Sequence, residues 1–170
     1  MAVRGNTGSL AVTLPSDREI LMTRVFDAPR ELVFEAHTTP EHVRRWWGKH
    51  GTTLPVCEMD FRPGGAYRSV QREPGGAEHG FRGEYRDIVP PERLVYTFEY
   101  EGLPGHIAVE TLTFEETDGK TTMTSRMIFD TTSERDGALK SGMENGAAQT
   151  MDRLAAYLEL IARGKQGGAA

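Results

Sequence analysis

The chain has 170 residues, with 25 Asp and Glu against 20 Lys and Arg, for a formal charge of −5. The charges are spread rather than blocked, which argues against the clustered basic face that nucleic acid or an anionic membrane surface would need. No apolar stretch approaches the roughly 20 residues that span a bilayer, the start "MAVRGNTGSLAVTLPSD" has no signal-peptide pattern, and the single Cys57 cannot form an internal disulfide, so a reduced, cytoplasmic protein is expected.

Residues 1–15 are small and polar and are expected to form a loose lead-in. "REILMTRVF" (18–26) has the β-branched and apolar content of a first strand. "DAPRELVFEAHTTPEHVRRWW" then reads as two short helices. Pro29 suits a first helical position with Asp27 or Ala28 capping, and Thr39-Pro40-Glu41 repeats the start signal. Gly48 and Gly51 end the second helix.

From Val56 the pattern turns to strands: "VCEMDF", "AYRSVQR", "HGFRGEYRDIV", "LVYTFEY", "HIAVETLTFEE" and "KTTMTSRMIF", punctuated by Gly- and Pro-rich turns. Thr117-Asp118-Gly119 carries the strongest hairpin signal. Ser133…Asp136 and Ser141…Glu144 resemble capping boxes. Met143, Ala147, Met151, Leu154, Leu158 and Ile161 recur at helical spacing, which predicts one long amphipathic helix over 141–163 with Gly164 as its stop. The order is one strand, two short helices, six antiparallel strands and a long helix. An α+β domain over 16–164 follows, in which a bent antiparallel sheet of about seven strands wraps the long C-terminal helix, with 165–170 as a flexible tail. The two short helices sit at the opening, where a cavity can form.

The ordered stretches "RVFDAPRELVFEAHTTPEHVRRWW", "MDFRPGGAYR", "FRGEYRDIVPPERLVYTFEYEG", "TLTFEETDGKTTMT" and "SGMENGAAQTMDRLAAYLE" resemble the START-like helix-grip superfamily (SRPBCC). Within it, they are similar to bacterial proteins that look like the C-terminal domain of the activator of Hsp90 ATPase. The resemblance covers roughly residues 18–162. It implies the helix-grip fold. Lipid carriers, aromatase/cyclase enzymes and cochaperones all use that fold, so it implies no single function.

Trp46 and Trp47 point about 100° apart on a helix, so Trp46 is read as core and Trp47 as the wall of a cavity. On "GHIAVETLTF", alternation from Leu112 and Phe114 puts Glu110, Ala108 and His106 on the inner face. There Glu110 and His106 are candidates to orient a ligand or to act as acid/base groups. Met59, Tyr67, Phe81, Tyr85, Tyr96, Phe98, Met123, Met127, Met143 and Met151 are the expected apolar lining, with Met as an adaptable gap-filler. Phe129 belongs with them, and Gln71 and Ser69 are expected inward on the strand of Tyr67. The five histidines show no metal-ligand spacing, and no P-loop, GxGxxG helix start or GxSxG elbow occurs, so no metal or cofactor is expected. Cys57 has no adjacent base and is a poor nucleophile.

The sequence favours non-enzymatic binding of a small hydrophobic or aromatic molecule. Two alternatives stay open: a small-molecule enzyme of the aromatase/cyclase kind, and a cochaperone that meets Hsp90 through its outer surface. Exposed edge strands also leave a homodimer open.

Overall fold

Alternation of apolar and polar side chains organises most of the chain into strands that share one buried face. A computed structural model describes the backbone over residues 10–168 and the side chains over 10–164. In chain order the elements are β1 (Ala11–Thr13), β2 (Glu19–Phe26), α1 (Arg30–Thr38), α2 (Pro40–Trp46), β3 (Thr53–Met59), β4 (Ala66–Arg72), β5 (Glu78–Val89), β6 (Arg93–Tyr100), β7 (Ile107–Thr117), β8 (Lys120–Ile128), α3 (Thr132–Lys140) and α4 (Met143–Gly168). The strands form one curved antiparallel sheet in the order β1-β2-β8-β7-β6-β5-β4-β3. Register shifts at Thr53/Val56 and Tyr85/Asp87 add local twist where the sheet bends. Asp118 and Gly119 both have positive φ, 54° and 77°, and form the two-residue turn between β7 and β8.

The inner face is set by register. Ile20, Met22 and Phe26 of β2 pair with Met127, Ser125 and Thr121 of β8, which in turn stand beside Glu110, Leu112 and Glu116 of β7. Helix α4 closes this face. Leu154 and Leu158, 0% and 2% exposed, pack into a cluster with Phe26, Val33, Trp46, Phe114 and Met123, beneath α1 and α2. At the other end Ile20, Met22, Ala108, Met127 and Phe129 form a second cluster, joined by Met143 and Ala147 of α4. Val43, Leu54 and Cys57 make a third under α2.

Four expectations change. The sheet has eight strands rather than about seven, because residues 11–13 of the expected loose lead-in pair with the free edge of β2, Ala11 opposite Thr23. The part of that lead-in covering 1–9 lies outside the described residues. Residues before the long helix form a separate helix, α3, capped not by Ser133 but by Thr131, whose hydroxyl accepts from the Glu134 N–H at 3.1 Å. Gly164 does not stop α4, which runs to Gly168, so the expected tail over 165–170 begins inside the helix and its last two residues lie outside the described residues. One glycine costs a helix about 1 kcal/mol, which its neighbours can offset.

Helix α1 also starts differently from expectation. It begins at Arg30 after Pro29, and neither Asp27 nor Ala28 caps it. The Glu116 carboxylate of β7 accepts from the Arg30 N–H at 2.8 Å, so a distant strand supplies the anionic cap that suits a helix N-terminus.

Candidate functional site

Helix α2 ends at the tryptophan pair. Trp46 is 2% exposed and its indole N–H donates to the Ala36 carbonyl at 3.0 Å, which ties α2 to α1. Trp47 caps the helix, stays half-buried and meets the Phe81 ring edge-on at 5.0 Å. Gly48 follows with φ +112°, and a Cβ there would lie 2.7 Å from both the Gln71 amide nitrogen and the Thr52 hydroxyl. The bend that turns the chain from Trp47 into β3 therefore requires glycine.

The loop after α2 is fastened to α4. The Arg153 guanidinium donates to the carbonyls of Gly48 and Lys49 at 3.1 and 3.0 Å and to the Thr52 hydroxyl at 3.2 Å. The Gln149 side chain accepts from the His50 N–H at 3.1 Å. On another side of α4, Asp152 holds Arg24 of β2 at 2.8 Å. Arg24 is 3% exposed, its guanidinium lies 5.5 Å from the centre of the Phe26 ring, and its Nε has no partner. These polar ties fasten α4 to the loop and to β2.

The inner face of β4 to β6 carries a run of rings. Phe81 stacks on Phe98 at 5.4 Å and meets Tyr100 at 5.3 Å, and His79 bonds the Tyr100 hydroxyl at 2.9 Å. Tyr67 lies 5.7 Å from Tyr96 and 5.4 Å from Tyr85. The Tyr67 hydroxyl donates to the Thr97 carbonyl at 2.6 Å, and its ring passes across Gly83, where a Cβ would fall 1.9 Å from that carbonyl. Trp47, Tyr67, Phe81, Tyr96 and Phe98 all remain half-buried on the inner face, as do Met143, Ala147 and Met151 on α4. These side chains therefore face the layer between helix and sheet without being fully sealed in it.

Glu110 lies at the polar centre of this face. Its Oε1 accepts from the Tyr96 hydroxyl, in a very short contact, and its Oε2 accepts from the Ser125 hydroxyl at 2.6 Å. Both donors favour the carboxylate, but the surrounding desolvation outweighs them and raises the carboxyl above its usual range. Burial, with the Glu110 charge beside it, also pushes the Tyr96 phenol well above its ordinary value. Glu110 as a residue is half-buried.

The other expected lining residues divide. Tyr85, Met123 and Met127 are sealed at 6%, 3% and 4% exposure, and Met59 is half-buried beside Val43 and Cys57. Gln71 and Ser69 are buried inward, and Phe129 is 8% exposed in the second cluster. His106 does not join Glu110. Four residues of extended chain separate them by about 13 Å, and His106 stands exposed, bonded to Glu134 of α3 at 2.6 Å. Cys57 is buried, and desolvation raises its thiol.

Sequence reasoning missed Ser125, Arg24 with Asp152, and the Arg153 staple. The first two carry a legible signal, since Ser125 alternates with Met123 and Met127, and Arg24 with Met22 and Phe26, so each is a polar side chain at an apolar-facing position.

The convex face differs in kind. A depression of about 440 Å³ there is lined by Val56, Val70 and Gly80 and rimmed by the ion pairs Arg68–Glu101 and Arg72–Glu78, each 2.7 Å. Among the described residues no group of three or more His, Cys, Asp or Glu side chains is placed to hold a metal, and no helix is long and apolar enough to cross a membrane.

Comparison with known proteins agrees with this geometry. Residues 27–159 match the family described as Activator of Hsp90 ATPase homolog 1-like protein. A solved protein of Rhodobacter sphaeroides superposes with a TM-score of 0.83 at 24% identity, over 89% of this chain and 99% of its own. One from Chromobacterium violaceum gives 0.70 at 28% identity, over 85% and 99%. The AHSA1 protein of Silicibacter pomeroyi gives 0.69 at 21% identity, over 84% and 99%. No protein with a curated description matches the chain. With its helix-grip sheet, its long closing helix and a match over most of its length, the chain belongs to the Activator of Hsp90 ATPase homolog 1-like family.

Proposed function

We propose that the protein binds a small hydrophobic or aromatic molecule in the cleft between α4 and the curved sheet, as a carrier or sensor rather than as a catalyst. The observation that carries this reading is the half-buried run of rings from Trp47 through Phe81 to Phe98 and Tyr96. Large apolar side chains facing one another inside a fold are normally packed to exclude solvent, and accessibility confined to one such face marks a binding surface. A single hydrogen-bonded carboxylate at its centre supplies orientation, as ligand sites commonly combine apolar walls with few polar groups.

An acid/base pair of Glu110 and His106 is not assembled, because His106 is engaged by Glu134 outside the cleft. The depression on the convex face is rimmed by matched ion pairs, whereas the interior offers a run of rings, which favours the interior as the working site.

The test is Trp47→Ala. Removing a half-buried ring is expected to cost about 1–2 kcal/mol of stability. It should weaken binding of a hydrophobic probe such as N-phenyl-1-naphthylamine tenfold or more, measured by fluorescence titration. Equal probe affinity in both proteins, or no saturable binding by the wild type, would sink the proposal.

A further inference from the structure

The carboxylate in the cleft has no cation to balance it. Among the described residues, no Lys, Arg or His forms an ion pair with Glu110, and its two partners, Tyr96 and Ser125, are neutral donors. Arg24, a charged group on the same inner face, is already held by Asp152 and nearly sealed from solvent. Enclosed carboxylates are costly unless paired, and most carboxylates on the outside of this sheet are paired: Glu99 with Arg82, Glu101 with Arg68, Asp87 with Arg93. Glu110 differs from them in facing the cleft.

The two hydroxyls occupy one acceptor site on each oxygen, which leaves further lone pairs on a carboxylate that can accept about four bonds. Around it the surfaces are aromatic. Tyr96 is its direct cross-strand neighbour, Phe98 sits one inward position further along β6, and Tyr67 lies edge-on to Tyr96. Ring faces attract cations, and a desolvated aromatic enclosure with one acid is a setting that recognises an ammonium group.

We propose that the ligand of this cleft is a hydrophobic amine, whose ammonium meets the free lone pairs of Glu110 while its apolar body lies against Phe98, Phe81 and Trp47. This rests on the binding function proposed above and adds the ligand's charge to it. The incoming cation supplies the charge that the fold leaves unmatched, and a charge-assisted hydrogen bond in an enclosed site is stronger than a neutral one.

The test compares amines with alcohols of the same shape: tryptamine with tryptophol, phenethylamine with phenethyl alcohol, and octylamine with octanol, each titrated calorimetrically into the full chain at pH 7.5. At least one amine should bind tenfold or more tighter than its alcohol, and Glu110→Gln should bring that amine-to-alcohol ratio to within about twofold of one. Amine and alcohol binding equally well to the wild type overturns the amine proposal and leaves hydrophobic binding standing. A preference that survives Glu110→Gln overturns the placement at Glu110. No saturable binding by any member of either series up to millimolar concentration overturns both readings. Should Glu110→Gln fail to fold, the wild-type ratio alone decides.

Discussion

Where α1 crosses the sheet, Phe114 and Phe26 are 1% exposed, and Phe114 meets Phe34 at 5.7 Å and His37 at 5.2 Å, both edge-on. Along β5 and β6, Phe81, Phe98 and Tyr96 make ring contacts of nearly the same length and stay half-buried. Residue type and spacing are alike, so the difference lies in what covers each region. Leu154 and Leu158 of α4 descend onto the first. Over the second, Met143, Ala147 and Met151 of α4 are themselves half-buried, and Phe98 and Tyr96 pack only at the margins of the buried clusters. The rings beneath Leu154 and Leu158 are sealed, whereas those along β5 and β6 stay partly accessible.

The comparison can be broken most forcefully at Phe114. Phe114→Ala empties a sealed position and is expected to destabilise the fold by about 3–5 kcal/mol in urea unfolding. A loss below about 1 kcal/mol would mean that this end is not the packed core.

His37 tests the same region through pH. Burial pushes its imidazole down to about 4, against the usual 6.5, although its Nδ1 bonds the Val33 carbonyl at 2.8 Å. The unfolded chain takes up a proton there as pH falls below about 6.5, whereas the folded chain resists until about 4. Stability on this account is full above pH 6.5 and drains as pH falls towards 4, by up to about 3 kcal/mol relative to pH 7. The wild type minus His37→Gln difference, measured by urea unfolding at pH 7 and 4.5, isolates this group, and an unchanged difference would show that His37 is solvated.

The smallest stability effect is expected in the open region. Phe98→Ala should cost about 1 kcal/mol or less, yet weaken probe binding about tenfold. Stability loss matching that of Phe114→Ala would erase the distinction between the two ends.

Strands β4 to β8 were legible because each alternates over seven residues or more and is bounded by Gly, Pro or Asp-Gly. The three-residue β1 was not, since its conformation comes from the free edge of β2 rather than from a pattern of its own. Helix α3 buries no residue fully, so no apolar stripe announced it. Within the cleft, alternation was enough to turn Glu110, Tyr96 and Phe98 inward. Their accessibility was beyond it, because whether a ring is sealed depends on which α4 side chains descend onto it, and α4 comes from a distant part of the chain.

The methionine methyl groups report on both ends at once. In a 13C-methyl-methionine spectrum titrated with N-phenyl-1-naphthylamine, the resonances of Met143 and Met151 should move with a common dissociation constant while that of the sealed Met123 stays in place. A shift confined to Met123, or saturation that moves no methionine, would contradict a cleft between α4 and the sheet.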